Sequence, residues 1–337
     1  MKPARLIILL AVFCALSSCA DRTRPDRGTG MEYAEWLELE GNQAILHSPF
    51  GAPDDTLTIH GPMHSIVCMS SSYIGFLDAL GCDSVVTAVS GLNYVADPDV
   101  RARAVDVGYD AALDYETILK LNPDLLITYA VSAAEPPYLQ KLRELGIRTA
   151  VIHEHLESHP LARAEYIKLF GLLTGRSHEA DSLFSGIRDR YRSLVKETDS
   201  PRKVLINIPY ADQWYIPGGD NYMTRLIRDA GGEVLGARPG ETRSRVISRE
   251  EALLLARQAD VWLNPGWCDS RAALQATLPA FPQVPAVYNN TRRTTPGGGN
   301  DFWESGPVRP DLILQDLRRI LAGNAHTDSL YYYIPLR

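Results

Sequence analysis

The chain has no apolar run long enough to cross a bilayer. Its most apolar stretch, Leu6 to Leu16, is eleven residues long, against the roughly 20 that a spanning helix needs. The marks of common enzymes are also missing. There is no G-x-S-x-G elbow and no P-loop, and no G-x-G-x-x-G follows a strand-like run. Pro296-Gly297-Gly298-Gly299 is glycine-rich, but no helical pattern follows it closely, so it reads as a loop over a cleft rather than a phosphate cradle. Positive charge is in deficit: 34 Lys and Arg face 41 Asp and Glu, a net charge of −7. That balance excludes the broad basic face of a nucleic-acid binder. It leaves room for an anionic ligand, because local charge can oppose the net charge. Cysteine is scarce, with five residues and no C-x-x-C. Cys68, Cys82 and Cys268 read as small buried hydrophobes, with one disulfide the less favoured alternative.

What is present begins at the first residues. Lys2 and Arg5 precede the apolar run, and Leu16-Ser17-Ser18-Cys19 ends it. A short apolar core behind a positive start is a secretory signal. Small residues leading to a cysteine at the cleavage point form the bacterial lipoprotein pattern. Residues 1–18 are therefore expected to be removed and Cys19 to carry the lipid, which places the protein in the cell envelope, anchored to a membrane and facing the periplasm (or the outside of a single-membrane cell). Residues 19–30, polar and broken by Pro25, Gly28 and Gly30, read as a tether. The discarded leader holds two bases and no acids, so the mature chain is more acidic still.

From residue 31 the chain is long enough for two lobes. Two short runs around Gly41-Asn42 predict a β-hairpin. From Ser65 a rhythm of short apolar strands and helices follows: strands at 65–69, 84–89, 124–129 and 148–152, and helices at 73–80, 113–121 and 137–145. This alternation predicts a mostly parallel sheet covered on both faces. The rhythm stops over 160–198, where apolar residues recur at helical spacing without a break by proline. It resumes with strands at 203–208, 260–264 and 286–289. Ser248-Arg-Glu-Glu251 has capping-box spacing, and Pro310 sits in the first turn of a last helix. The expected organisation is an N-terminal lobe over 31–159 with a leading hairpin, a connecting helix over 160–198, and a C-terminal lobe over 199–337. The fold class is α/β, two Rossmann-like lobes joined by a single long helix.

Aromatic and polar groups gather at the carboxyl ends of these strands. They are Tyr73, Tyr94 and Tyr129 in the first half, and Tyr210, Trp214, Trp267, Phe302 and Trp303 in the second. Ligands of open α/β sheets bind outside strand carboxyl ends. Aromatics offer rigid contact area there, and Arg292 and Arg293 suit oxygen-rich anions through their fork geometry. The expected ligand-binding set is Tyr73, Tyr94, Tyr129, Trp214, Trp267, Arg292, Arg293 and Trp303. His153, His155 and His159 (HEHLESH) have the chemistry of transition-metal ligands, but the segment reads more simply as a polar loop entering the connector. No resident metal or cofactor is expected.

Several segments resemble the iron-chelate and vitamin B12 family of ABC-transporter substrate-binding proteins. They are Val107-Gly108 with Leu113-Asp-Tyr-Glu116 and Leu119-Lys-Leu-Asn-Pro-Asp-Leu-Leu-Ile127, the serine-rich turn of Ser65-Ile-Val-Cys-Met-Ser-Ser-Ser72, Ala230-Gly-Gly232, Ser248-Arg-Glu-Glu251, and Asn300-Asp-Phe-Trp-Glu-Ser-Gly-Pro307. Asp114 and Asn122 depart from the commonest letters of the first pattern. The resemblance runs from about residue 60 to residue 323. It implies two α/β lobes of the class III periplasmic-binding type, modest hinge closure, and a cleft ligand with no catalytic step. It also implies an ABC permease and its ATPase as partners. The permease meets one acidic residue on each lobe, here Glu135 and, with less support from the pattern, Asp269. The functional expectation is capture of a ferric siderophore or related metal chelate and its delivery to the permease. Cobalamin and haem are alternatives on the same fold, with Tyr129 or Tyr73 as an axial ligand for haem. The rivals of another class are a chelatase-like enzyme using the histidine cluster and an interaction module that has lost transport.

Overall fold

The chain builds two five-stranded sheets, one three-stranded sheet and one two-stranded sheet. The computed structural model describes residues 30–211 and 213–337. The expected signal peptide, Cys19 and nearly all of the tether lie outside the described residues.

Residues 31–60 build a three-stranded antiparallel sheet of β1 (Leu37–Glu40), β2 (Gln43–Leu46) and β3 (Asp55–Thr58). It is tied down by carboxylates more than a hundred residues away. Glu165, fully buried, accepts the backbone N–H groups of Glu32 at 2.7 Å, Tyr33 at 2.7 Å and Ala34 at 2.9 Å. Glu157 accepts those of Glu35 at 2.9 Å and Trp36 at 3.0 Å. Burial pushes the Glu157 carboxyl up to about 8, against the pull of those N–H groups.

The first lobe is an all-parallel sheet in the order β6-β5-β4-β7-β8. Its strands are β4 (Ile66–Cys68), β5 (Val86–Val89), β6 (Val105–Asp106), β7 (Leu125–Thr128) and β8 (Thr149–Val151). The central strands β4 and β7 are buried throughout, as a sheet covered on both faces requires. The second lobe has β9 (Arg202–Ile206), β11 (Gly232–Val234), β13 (Val261–Leu263), β14 (Ala286–Asn289) and β15 (Ile334–Pro335) in the order β11-β9-β13-β14-β15. The last strand is antiparallel. It is held by Asp316, whose carboxylate collects the N–H groups of Tyr331, Tyr332 and Tyr333. A separate antiparallel pair joins β10 (Trp214–Ile216) to β12 (Arg245–Ile247).

The connecting segment is helical but not continuous. It consists of Pro160–Glu165, Ile167–Thr174 and Ser177–Leu194. Gly175 ends the middle helix in the left-handed region, φ 70°, a conformation costly for any residue with a Cβ. The 18-residue helix is therefore the single long one, and the two before it bend into it. A second difference lies at the glycine loop. A four-residue helix, Asp301–Glu304, does follow, capped by the Asn300 side chain on the Phe302 N–H. Cys68, Cys82 and Cys268 are buried and free.

Candidate functional site

The segments after the strands of both sheets carry exposed aromatic rings. In the first lobe Tyr94 ends a short 3-10 turn after β5 and is 61% exposed, and Tyr129 follows β7 at 41%. In the second lobe Trp267 follows β13 at 70%, and Trp303 sits on the Asp301–Glu304 helix at 47%. Tyr109 after β6 and Tyr210 after β9 are exposed in the same way. Tyr109 was not anticipated, although its place directly behind Val107-Gly108 is the same strand-end signal. Arg293 is exposed, pairs with Asp301 and lies over the Tyr331 ring at 4.5 Å. Arg292 is half-buried, its backbone N–H bonded to the Tyr332 carbonyl.

Two expected ligand contacts are corrected. Tyr73 is 1% exposed, because the helix Ser71–Ala79 turns it inward against Phe170. Trp214 is fully buried, its ring stacked on Phe281 at 5.3 Å and its Nε1–H donating to the Ile206 carbonyl at 2.9 Å. Both belong to the core, and Tyr73 is thereby removed as an axial-ligand candidate. Glu135 and Asp269 are both exposed, Glu135 in an ion pair with Arg143.

A polar line joins the two lobes. The Ser72 hydroxyl donates to Glu154 Oε1 at 2.9 Å, and Arg163 Nε donates to Glu154 Oε2 at 2.9 Å. The Arg163 guanidinium lies 4.3 Å over the ring of Tyr222, which belongs to the second lobe. Burial opposes the Arg163 charge, and Glu154 more than restores it. Trp303 stands beside this line, lining a narrow cavity with Arg163 and Tyr222. A cavity of about 70 Å³ near Trp262, Leu274 and Phe281 lies within the second lobe.

The first-lobe wall carries the histidines. His155 packs against Tyr129 with ring centres 5.6 Å apart, and His153 packs against Phe50 at 5.8 Å. His159 is apart from them, between Tyr33 and Tyr191, where its Nδ1 accepts the Leu161 N–H at 3.0 Å. It caps the helix Pro160–Glu165. The three do not form one cluster.

Two α/β sheets, a helical connector and exposed aromatic rings after the strands are the features to set beside known proteins. Residues 66–297 match the family described as Periplasmic binding protein, which is more than half of the chain, and the protein belongs to that family. It is a class III member by fold, in a family of solute-binding proteins rather than enzymes. Such proteins work with ABC-transporter permeases and take small-molecule chelates, in the periplasm or outside the cell. The "Uncharacterized lipoprotein MJ0878" of Methanocaldococcus jannaschii is 26% identical over 320 residues, covering 88% of this chain and 76% of its own. A periplasmic haem-binding protein from Pseudomonas aeruginosa superposes with a TM-score of 0.63 at 20% identity, covering 82% of this chain and 98% of its own. The periplasmic vitamin B12-binding protein BtuF of Vibrio cholerae gives 0.54 at 17% identity, covering 78% and 98%.

Proposed function

We propose that the chain is the substrate-binding lipoprotein of an ABC importer, capturing a metal chelate of the ferric siderophore class between its lobes. The observation that supports this reading is the exposure of large rings in the segments that follow strands of each sheet, Tyr94 and Tyr129 in the first lobe and Trp267 and Trp303 in the second. A guest seated there stacks on both lobes at once and holds them together. Arg292 and Arg293 supply positive charge for its oxygens. Lipidation at Cys19 keeps the protein near its permease and raises its effective concentration there. Glu135 and Asp269, one on each lobe, are the docking carboxylates.

Haem is the second reading, favoured by an exposed phenol at the cleft wall. Tyr129 offers an axial oxygen, and the haem-binding protein from Pseudomonas aeruginosa shares the fold. One experiment separates the readings. The protein is purified from its native membrane, and its visible spectrum and metal content are recorded. The emptied protein is then titrated with a ferric hydroxamate, haemin and cobalamin while its fluorescence is followed. Saturable 1:1 quenching by the hydroxamate supports the proposal. Tight binding of haemin or cobalamin alone replaces it with that ligand. Binding of none of the three rejects the chelate reading.

A further inference from the structure

The histidine pair at the cleft wall has unspent chemistry. Both ring nitrogens of His153 and Nε2 of His155 are buried with no hydrogen-bond partner. Each such atom costs about 1–3 kcal/mol, and folded proteins rarely leave three together. The two rings sit with centres 6.4 Å apart at 30°. The Ala130 backbone hydrogen-bonds the His155 ring. A backbone acceptor on one nitrogen fixes the tautomer and leaves a lone pair on the other, the arrangement that prepares an imidazole for a metal.

We propose that His153 and His155 form a two-imidazole site for a monovalent copper ion, set into the first-lobe wall behind Tyr129. Three observations select that ion. First, only two donors are available. Among the described residues no group of three or more His, Cys, Asp or Glu is arranged to hold a metal, whereas zinc takes three or four protein ligands. Cu(I) is content with two. Second, the spacing fits a linear pair: two imidazoles in line on one ion, at about 2.0–2.1 Å per bond, have ring centres about 6–6.5 Å apart. Third, the surroundings resist a double charge. Glu154, between the histidines, is committed to Ser72 and Arg163, and Arg243 lies 5.7 Å over the ring of Phe50, which covers His153. A buried ion without a counter-charge costs less when its charge is one.

The proposal is independent of the chelate reading: it concerns a bare ion at the wall, not a guest in the cleft. The test is a competition titration of the detergent-solubilised full chain with Cu(I) against a chromogenic Cu(I) chelator. The expected result is one ion per chain, with affinity falling at least 100-fold in His153→Leu and in His155→Leu and unchanged in His178→Gln, a histidine of the long connector helix. X-ray absorption is expected to show a two-nitrogen shell. Both leucine variants are expected to melt no lower than the parent, since they remove unpartnered polar atoms, so lost binding is not lost folding. Absence of stoichiometric Cu(I), retention of it in both variants, a sulfur-containing shell, or tighter binding of Zn(II) would each overturn the assignment.

Discussion

Glu304, in the second lobe, accepts the backbone N–H of Ala96, in the first, at 2.7 Å. The same carboxylate takes the Asp97 N–H at 2.7 Å. This is a tie between the two lobes. Burial, opposed by those two N–H groups, lifts the Glu304 carboxyl to about 7. A raised carboxyl favours the folded state when protonated. Its contribution is full below about pH 4.5 and is lost as pH rises through about 7. The stability of the parent relative to Glu304→Gln, read from urea midpoints, is therefore expected to fall by about 1–3 kcal/mol between pH 5 and pH 8. A pH-independent difference would refute the buried tie.

Gly75 makes the same junction intolerant of a side chain. A Cβ there would stand 2.0 Å from the Glu304 carbonyl oxygen, which is backbone and cannot swing away. Gly75→Ala is expected to force the helices Ser71–Ala79 and Asp301–Glu304 apart and to cost about 1–3 kcal/mol. Denaturant unfolding measures the loss. Small-angle scattering is expected to show a slightly larger radius of gyration.

These contacts mark where sequence reading reached its limit. Alternating strands and helices were legible because period and capping are local. The Ser248 side chain does accept the Glu251 N–H, and Pro310 does open the last helix. Tyr73 and Trp214 look from the sequence like their exposed counterparts, since each follows a strand. What buries them is the direction of the next element, a helix that rotates Tyr73 onto Phe170 and a strand pair that folds Trp214 back under Ile206. The ties from Glu157, Glu165 and Glu304 to distant backbone amides leave no local pattern, because any peptide N–H can serve as donor.

The aromatic residues divide into two groups with opposite consequences. Trp267→Ala removes a largely open ring and Trp303→Ala one about half open. They are expected to weaken chelate binding, by about 1 kcal/mol or more each, with melting temperature nearly unchanged. Trp214→Ala removes a ring packed against Trp262 and Phe281 and is expected to cost about 3–5 kcal/mol of stability. Unchanged affinity in both open variants, by fluorescence titration, would count against the cleft.

His159 gives the acid limb of stability. Burial, then Arg225 and Arg192, pushes its imidazole down to about 3. Its Nδ1 must stay unprotonated to accept the Leu161 N–H that starts the connector. A depressed histidine contributes stability that is complete above about pH 6.5 and is lost as pH falls toward the folded value. Asn at this position preserves a helix cap without titrating. Between pH 6.5 and pH 4 the parent is expected to lose about 1–3 kcal/mol more than His159→Asn, measured by urea unfolding at each pH. Parallel pH profiles would show that the imidazole is already charged in the folded chain, and that its neighbours Tyr33 and Tyr191 are looser than their packing implies.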